Sequence, residues 1–198
     1  CAVDKNNYKT ESKQSWSFTT QDIFITIEAV FSHTINEIPT TPVVGDINLD
    51  GEPEIVYGGI PTQASFTSSH LYVLKKHANN QVEVVFSKPT DGACLGVGLG
   101  DLDNNGSPEI AAYTYNQIQN SGTLSAINHD STIRWATSIP NKGSFRSDVL
   151  YQRDPSLGDV NGDGCADVVI NACDGSLWVI SGKDGRELWH KEFTGNWT

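Results

Sequence analysis

Apolar residues along this chain fall in short, β-branched runs separated by Gly, Asp and Asn, and no stretch keeps the 3.6-residue period of an amphipathic helix. Runs of this length and make-up predict strands. They recur in a fixed order. Ile55–Tyr57, Ile110–Tyr113 and Val168–Ile170 come first. Leu71–Leu74, Leu124–Ile127 and Leu177–Ile180 follow, and a run with an aromatic closes each group: Val84–Phe86, Ile133–Trp135 and Leu188–His190. Asp174-Gly175 and Asp184-Gly185 mark hairpin turns in the third group. With the strand that leads into each group, about four short strands are predicted per repeat.

A polar segment of one design stands ahead of each group. The first reads Val44-Gly45-Asp46-Ile47-Asn48-Leu49-Asp50-Gly51-Glu52-Pro53-Glu54, the second Leu99-Gly100-Asp101-Leu102-Asp103-Asn104-Asn105-Gly106-Ser107-Pro108-Glu109. The third reads Leu157-Gly158-Asp159-Val160-Asn161-Gly162-Asp163-Gly164-Cys165-Ala166-Asp167. Their Gly-Asp starts are 55 and 58 residues apart. Four-stranded units at that interval predict an all-β protein built of β-propeller blades, at about 41–90, 95–140 and 155–198. Trp16-Ser17-Phe18 is expected to be the last strand of a preceding blade, within a 15–40 segment that ends in a connection. Residues 1–14 read as a polar tether or linker, and 21–38 and 142–154 as longer connections. Propellers close with about four to eight blades. Three blades are therefore expected to belong to a larger propeller or to complete themselves against other chains.

The three segments share the pattern D-x-[DN]-x-[DN]-G-x-x-[DE]. Calcium takes six to eight oxygen ligands. Positions 1, 3 and 5 of a tightly wound loop supply side-chain oxygens, position 7 a backbone carbonyl and position 9 a carboxylate. The side-chain sets are Asp46, Asn48, Asp50 and Glu54; Asp101, Asp103, Asn105 and Glu109; and Asp159, Asn161, Asp163 and Asp167. The carbonyls belong to Glu52, Ser107 and Cys165, and Gly51, Gly106 and Gly164 make the turn. An EF-hand needs Glu at position 12 and a helix after it. Position 12 is Tyr57, Ala112 and Ile170, each in a predicted strand, so the expectation is three structural Ca²⁺ sites in β-flanked loops. Asp, Asn and Gly also make ordinary turns, but three full sets in register argue against that alternative.

Charge fits the metal. Against 13 Lys and Arg stand 24 Asp and Glu, and three Ca²⁺ would bring the net charge from −11 to −5. So acidic a chain is not expected to bind nucleic acid. No apolar run is long enough for a membrane span. Methionine is absent throughout, so a processed product or a piece of a longer chain is expected. Cys1 could be the lipidated residue of a surface lipoprotein or an arbitrary boundary. None of Cys1, Cys94, Cys165 and Cys173 forms a CxxC pair, which argues against zinc. Cys165 and Cys173 flank a predicted strand that holds them too far apart to bridge. Blade topology would put Cys94 and Cys173 at one end of adjacent blades, the better disulfide candidate.

These loop motifs resemble the FG-GAP/VCBS repeat family, calcium-loop β-propellers related to those of integrin α-subunits, over roughly residues 41–198. Gly182-Lys183-Asp184-Gly185-Arg186-Glu187-Leu188-Trp189 also looks like a strand-ending signature of quinoprotein-like propeller repeats. The Phe-Gly and Gly-Ala-Pro signatures are missing, and Gly58-Gly59-Ile60-Pro61 is only a loose echo. The resemblance implies structural calcium at the blade edge and ligands on a propeller face. It also implies an extracellular or cell-surface location and a non-catalytic role: adhesion, recognition of a glycan or protein, or scaffolding. Two alternatives stay open, a fragment of a calcium-dependent polysaccharide lyase similar to rhamnogalacturonan lyases, and a structural subunit of an extracellular assembly.

Catalytic motifs are lacking. His33, His70, His77, His129 and His190 fall in no nucleophile or metal pattern, and no catalytic residue is assigned. Arg146 and Arg153 could face an acidic glycan, though a solvated loop is the simpler expectation. Trp135, Trp178 and Trp189 are expected to pack in the core or between blades, while Tyr113, Tyr115 and Tyr151 lie near loops. Asn105 and Asn196 open glycosylation sequons, with Asn105 already given to calcium.

Overall fold

The computed structural model describes residues 37–62, 66–77, 81–140 and 153–193. All belong to the second of two compact units, Glu37–Thr198. The expected tether, the Trp16–Phe18 strand, Cys1, His33, Arg146, Tyr151 and Asn196 lie outside the described residues. Among the described residues thirteen strands form three antiparallel sheets, and there is no helix.

The first sheet holds β1 (Glu37–Pro39), β2 (Val43–Gly45), β3 (Glu54–Pro61), β4 (Ser69–Lys76) and β5 (Val82–Thr90). The second runs in order β6 (Ala93–Gly100), β7 (Glu109–Asn116), β8 (Ser121–Ile127) and β9 (Ile133–Pro140). The third runs β10 (Ser156–Gly158), β11 (Asp167–Asn171), β12 (Leu177–Ile180) and β13 (Glu187–Lys191). Each predicted run lies in a strand of its own. The first sheet adds one feature. β1 and β2 both pair with β3, β1 through Glu37↔Pro61 and β2 through Val43↔Val56, so they share one edge that β6 fills alone in the second sheet. Glu37–Pro39 is therefore a strand, where a connection was expected.

Alternation along β7 explains how the sheets stack. Successive side chains point to opposite faces. Ile110 and Ala112 enter a core shared with Val56, Leu71 and Val73 of the first sheet. Ala111, Tyr113 and Tyr115 enter a second core shared with Val168, Ile170 and Trp178 of the third. Every residue of β7 is buried, so the second sheet lies between the other two.

The leading strands come closest where glycine removes a side chain. A Cβ on Gly45 would stand 2.8 Å from Leu99 Cδ1, and one on Gly100 would stand 2.7 Å from Leu157 Cδ2. The leucine before each Gly-Asp thus fills the space left by the glycine one repeat earlier. Hydrogen bonds join the same neighbours: Ser107 Oγ donates to Ile47 O (2.9 Å) and Ala166 N–H to Asp101 O (2.9 Å).

The Cys94–Cys173 pairing is corrected. Cys94, Cys165 and Cys173 are free thiols. Cys94 points into the first core beside Gly58, and burial pushes its pKa up to about 12. Cys173 packs against the second core, with Tyr113 Oη 3.8 Å from its Sγ. The alternation that feeds two cores puts the two sulfurs on opposite sides of the second sheet. Of the tryptophans, Trp178 is buried and Trp135 half-buried with its Nε1–H on Gly182 O (2.6 Å), but Trp189 is 46% exposed.

Candidate metal centre

Each loop links the leading strand of a sheet to the next strand. Its shape is held by carboxylates and amides accepting backbone N–H groups. The position-1 aspartate accepts the N–H of the position-6 glycine: Gly51 to Asp46 (2.8 Å), Gly106 to Asp101 (2.8 Å), Gly164 to Asp159 (2.9 Å). Position 3 accepts the N–H of position 5: Asp50 to Asn48 (3.0 Å), Asn105 to Asp103 (3.2 Å), Asp163 to Asn161 (2.8 Å). Position 5 accepts the N–H of position 7: Glu52 to Asp50 (2.9 Å), Ser107 to Asn105 (2.7 Å), Cys165 to Asp163 (3.0 Å). These are Asx turns in series, the local bonding that Asp and Asn favour. Gly51, Gly106 and Gly164 have φ of 87°, 89° and 88°, a left-handed conformation that suits glycine.

Position 9 opens the following strand and is buried in all three repeats. One oxygen of each carboxylate is held by the backbone of position 2. Ile47 N–H donates to Glu54 Oε2 (3.0 Å), Leu102 N–H to Glu109 Oε2 (2.8 Å) and Val160 N–H to Asp167 Oδ2 (3.0 Å). The same bonds thus wind positions 1, 3 and 5 of every loop into one turn, but among the described residues the acidic oxygens converge with position 9 in the second loop alone.

The three loops differ in charge balance. In the second, one carboxylate oxygen each from Asp101, Asp103 and Glu109 lies within 4.8 Å of the others, a spacing suited to one cation. Among the described residues this is the one such convergence of three His, Cys, Asp or Glu side chains. Burial, with help from the Asp103 and Asp101 charges, raises the Glu109 pKa even though Leu102 N–H opposes it. Burial also acts to raise that of Asp101, but the backbone donors from Gly106 back to Asp103 outweigh it and hold the group below its usual range. Arg134 pairs with Asp103 from β9.

In the first loop a lysine enters. Lys75 of β4 bonds to Asp50, and its Nζ lies 3.2 Å from Glu52 and 3.7 Å from Glu54 Oε1. That oxygen is buried and has no hydrogen-bond partner. The Lys75 contact also lowers the Asp50 pKa. In the third loop Asn161 Nδ2 bridges Asp163 and Asp167 (3.1 and 3.4 Å), so an amide sits between its acids. The Asp163 pKa is lowered, first by the Cys165 N–H.

A comparison with protein-family models finds no match, and neither does a comparison with curated proteins. Lys75 and Arg134 escaped sequence reasoning. They lie 25 and 31 residues beyond their partners, and only strand register brings them in. A second cluster also escaped it. At the far end of β3, Glu37 meets His70 Nδ1 (2.9 Å) and accepts Tyr72 Oη–H (3.1 Å), and Tyr72 stacks on Tyr57 at 5.0 Å. His190, which falls in no catalytic pattern, is exposed on β13, stacks on Trp178 at 4.4 Å and bonds Glu187.

Proposed function

We propose that this chain is a calcium-stabilised extracellular module whose three sheets are consecutive β-propeller blades, with a non-catalytic role in recognising a glycan or protein ligand. The carrying observation is the loop wiring, repeated bond for bond in three places, with a buried acidic group of each loop turned toward the same turn. Turns that served only to reverse the chain would not need a buried carboxylate at position 9, whose desolvation is costly without a cation or full hydrogen bonding. The Asp101, Asp103 and Glu109 convergence is the strongest site for the ion. Calcium there would neutralise like charges and tie the leading strand to its neighbour. Because adjacent loops are joined by the Ser107 and Ala166 bonds, metal in one loop would also steady the next sheet.

The test is a thermal melt in chelator and in calcium, with a titration calorimetry count of bound ions. The expected result is a lower Tm in chelator, restored by calcium. An identical melt in both would remove the metal and the blade-edge role with it. A glycan array then addresses the recognition role. Release of unsaturated sugar products from a pectin-like substrate would replace this reading with the lyase.

A further inference from the structure

The two junctions between sheets follow one rule, and the rule leaves an open position at each end of the stack. Leu99 fills the space over Gly45, and Leu157 fills the space over Gly100. The third glycine of the series is Gly158, and a Cβ there would meet nothing within 4 Å among the described residues. The first residue of the filling series is Val44, and it is 63% exposed. The series of outer-strand aromatics agrees. Phe86 packs on the first core and Trp135 on the second, where it bonds Gly182 of the third sheet. Strand pairing puts Trp189 in the same place on the third sheet, opposite Val179 as Trp135 is opposite Ala126 and Phe86 opposite Val73. It is 46% exposed. The outer face of the third sheet therefore carries the same unfilled glycine and the same aromatic that the second sheet uses to bind the third.

We infer that a second copy of this chain docks head to tail on that face, with its Val44 over Gly158 and its first sheet against Trp189. The occupant is a copy because the missing part is a residue of the Val44, Leu99, Leu157 series, and this chain exposes one. The contact joins two different surfaces, so it repeats from copy to copy and ends in a ring or a fibre. It goes beyond the recognition role proposed above and rests on the reading of the sheets as repeated units, but not on the calcium.

The experiment is light scattering after size exclusion, in calcium, over a concentration series. The wild-type chain is expected to exceed its 21.5 kDa monomer mass and to grow with concentration. Gly158→Leu fills the receiving position where space is open, and Val44→Asp charges the exposed filling position. Neither touches a described core, so circular dichroism of both is expected to match wild type. Each alone is expected to be a monomer, since every copy then lacks one half of the contact. Mixed, they should form a one-to-one dimer and stop, because the Gly158→Leu chain keeps Val44 and the Val44→Asp chain keeps Gly158. A monomeric wild type, variants that assemble unchanged, or a mixture that stays monomeric would each overturn the inference. Should Gly158→Leu lose its fold, Trp189→Ser takes its place in the mixture. Melting the same samples in chelator tests the calcium separately, so the two readings fail independently.

Discussion

The first and second loops carry the same motif and the same internal hydrogen bonds, yet they balance their charge in different ways. In the first, the Lys75 ammonium reaches Asp50, Glu52 and Glu54 together. In the second, Arg134 pairs with Asp103, and the oxygens of Asp101, Asp103 and Glu109 converge with no ammonium among them. A motif that fixes the loop's hydrogen bonds therefore does not fix its charge balance. Strand register decides that, by what the next strands bring over the loop. The second loop is arranged to gain most from a metal, and the first already holds a cation of its own.

The largest expected effect separates the two at position 9. Glu109→Gln keeps an acceptor for Leu102 N–H but removes a charge that burial disfavours. In calcium it should lose the ion's contribution, about 3 kcal/mol when calcium stands a hundredfold above its dissociation constant. In chelator the sign should reverse. A folded pKa above the unfolded value means the folded state disfavours the carboxylate at neutral pH, so the neutral amide should melt at or above wild type. Glu54→Gln should behave otherwise. It takes a partner from Lys75, so it should melt below wild type in chelator, and it should lose less than Glu109→Gln in calcium. Melts of both variants in both buffers decide it. Equal behaviour would mean that Lys75 makes no difference between the loops.

A smaller effect isolates the lysine. If calcium enters the first loop, it must displace Nζ or share the site with a like charge. Lys75→Met keeps most of the stem's apolar length and removes the charge. Calcium affinity of the weakest site should then rise by about tenfold, the size of a close charge–charge repulsion screened as in water. The gain should shrink in high salt. Calorimetric titration of wild type and variant reads this directly, and an unchanged weakest site would place Lys75 outside the metal's reach.

The difference between the loops was not legible in the sequence, while the loops were. Spacing within eleven residues fixes the Asx turns, the glycine at position 6 and the return of position 9, and the same hydrogen bonds recur in all three repeats. Strand identity was legible for the same reason, since a β-branched run between turn residues is a local signal. What failed was non-local. The Cys94 and Cys173 pairing followed from which end of a blade each would occupy, but which face each points to depends on the bulge near Cys94 and on the two-core alternation of β7. Lys75 and Arg134 depend on register, and Trp189 on whether anything packs beyond the third sheet. Position 4 of the loop is local too, but Leu49 masks the Asn and Gly preference of the other two repeats. Leu49, Asn104 and Gly162 there all have positive φ, 59°, 60° and 79°.

That position gives the smallest effect and a clean one. Left-handed backbone costs a residue with a Cβ roughly 1–2 kcal/mol. Asparagine tolerates it and glycine adopts it freely, but leucine gains nothing from it. Leu49 is 59% exposed, so little packing is lost with its side chain. Glycine adds unfolded-chain entropy worth roughly 0.5–1 kcal/mol against it. Leu49→Gly should therefore stabilise the chain by about 0.5–1 kcal/mol, a rise of about 1–4 °C in Tm. Gly162→Ala should move the other way, since the same φ is required and a Cβ is added. Measuring both in chelator keeps metal out of the comparison. A destabilised Leu49→Gly would mean that the leucine makes a contact worth more than its backbone strain. The first loop would then differ from the second in packing as well as in charge.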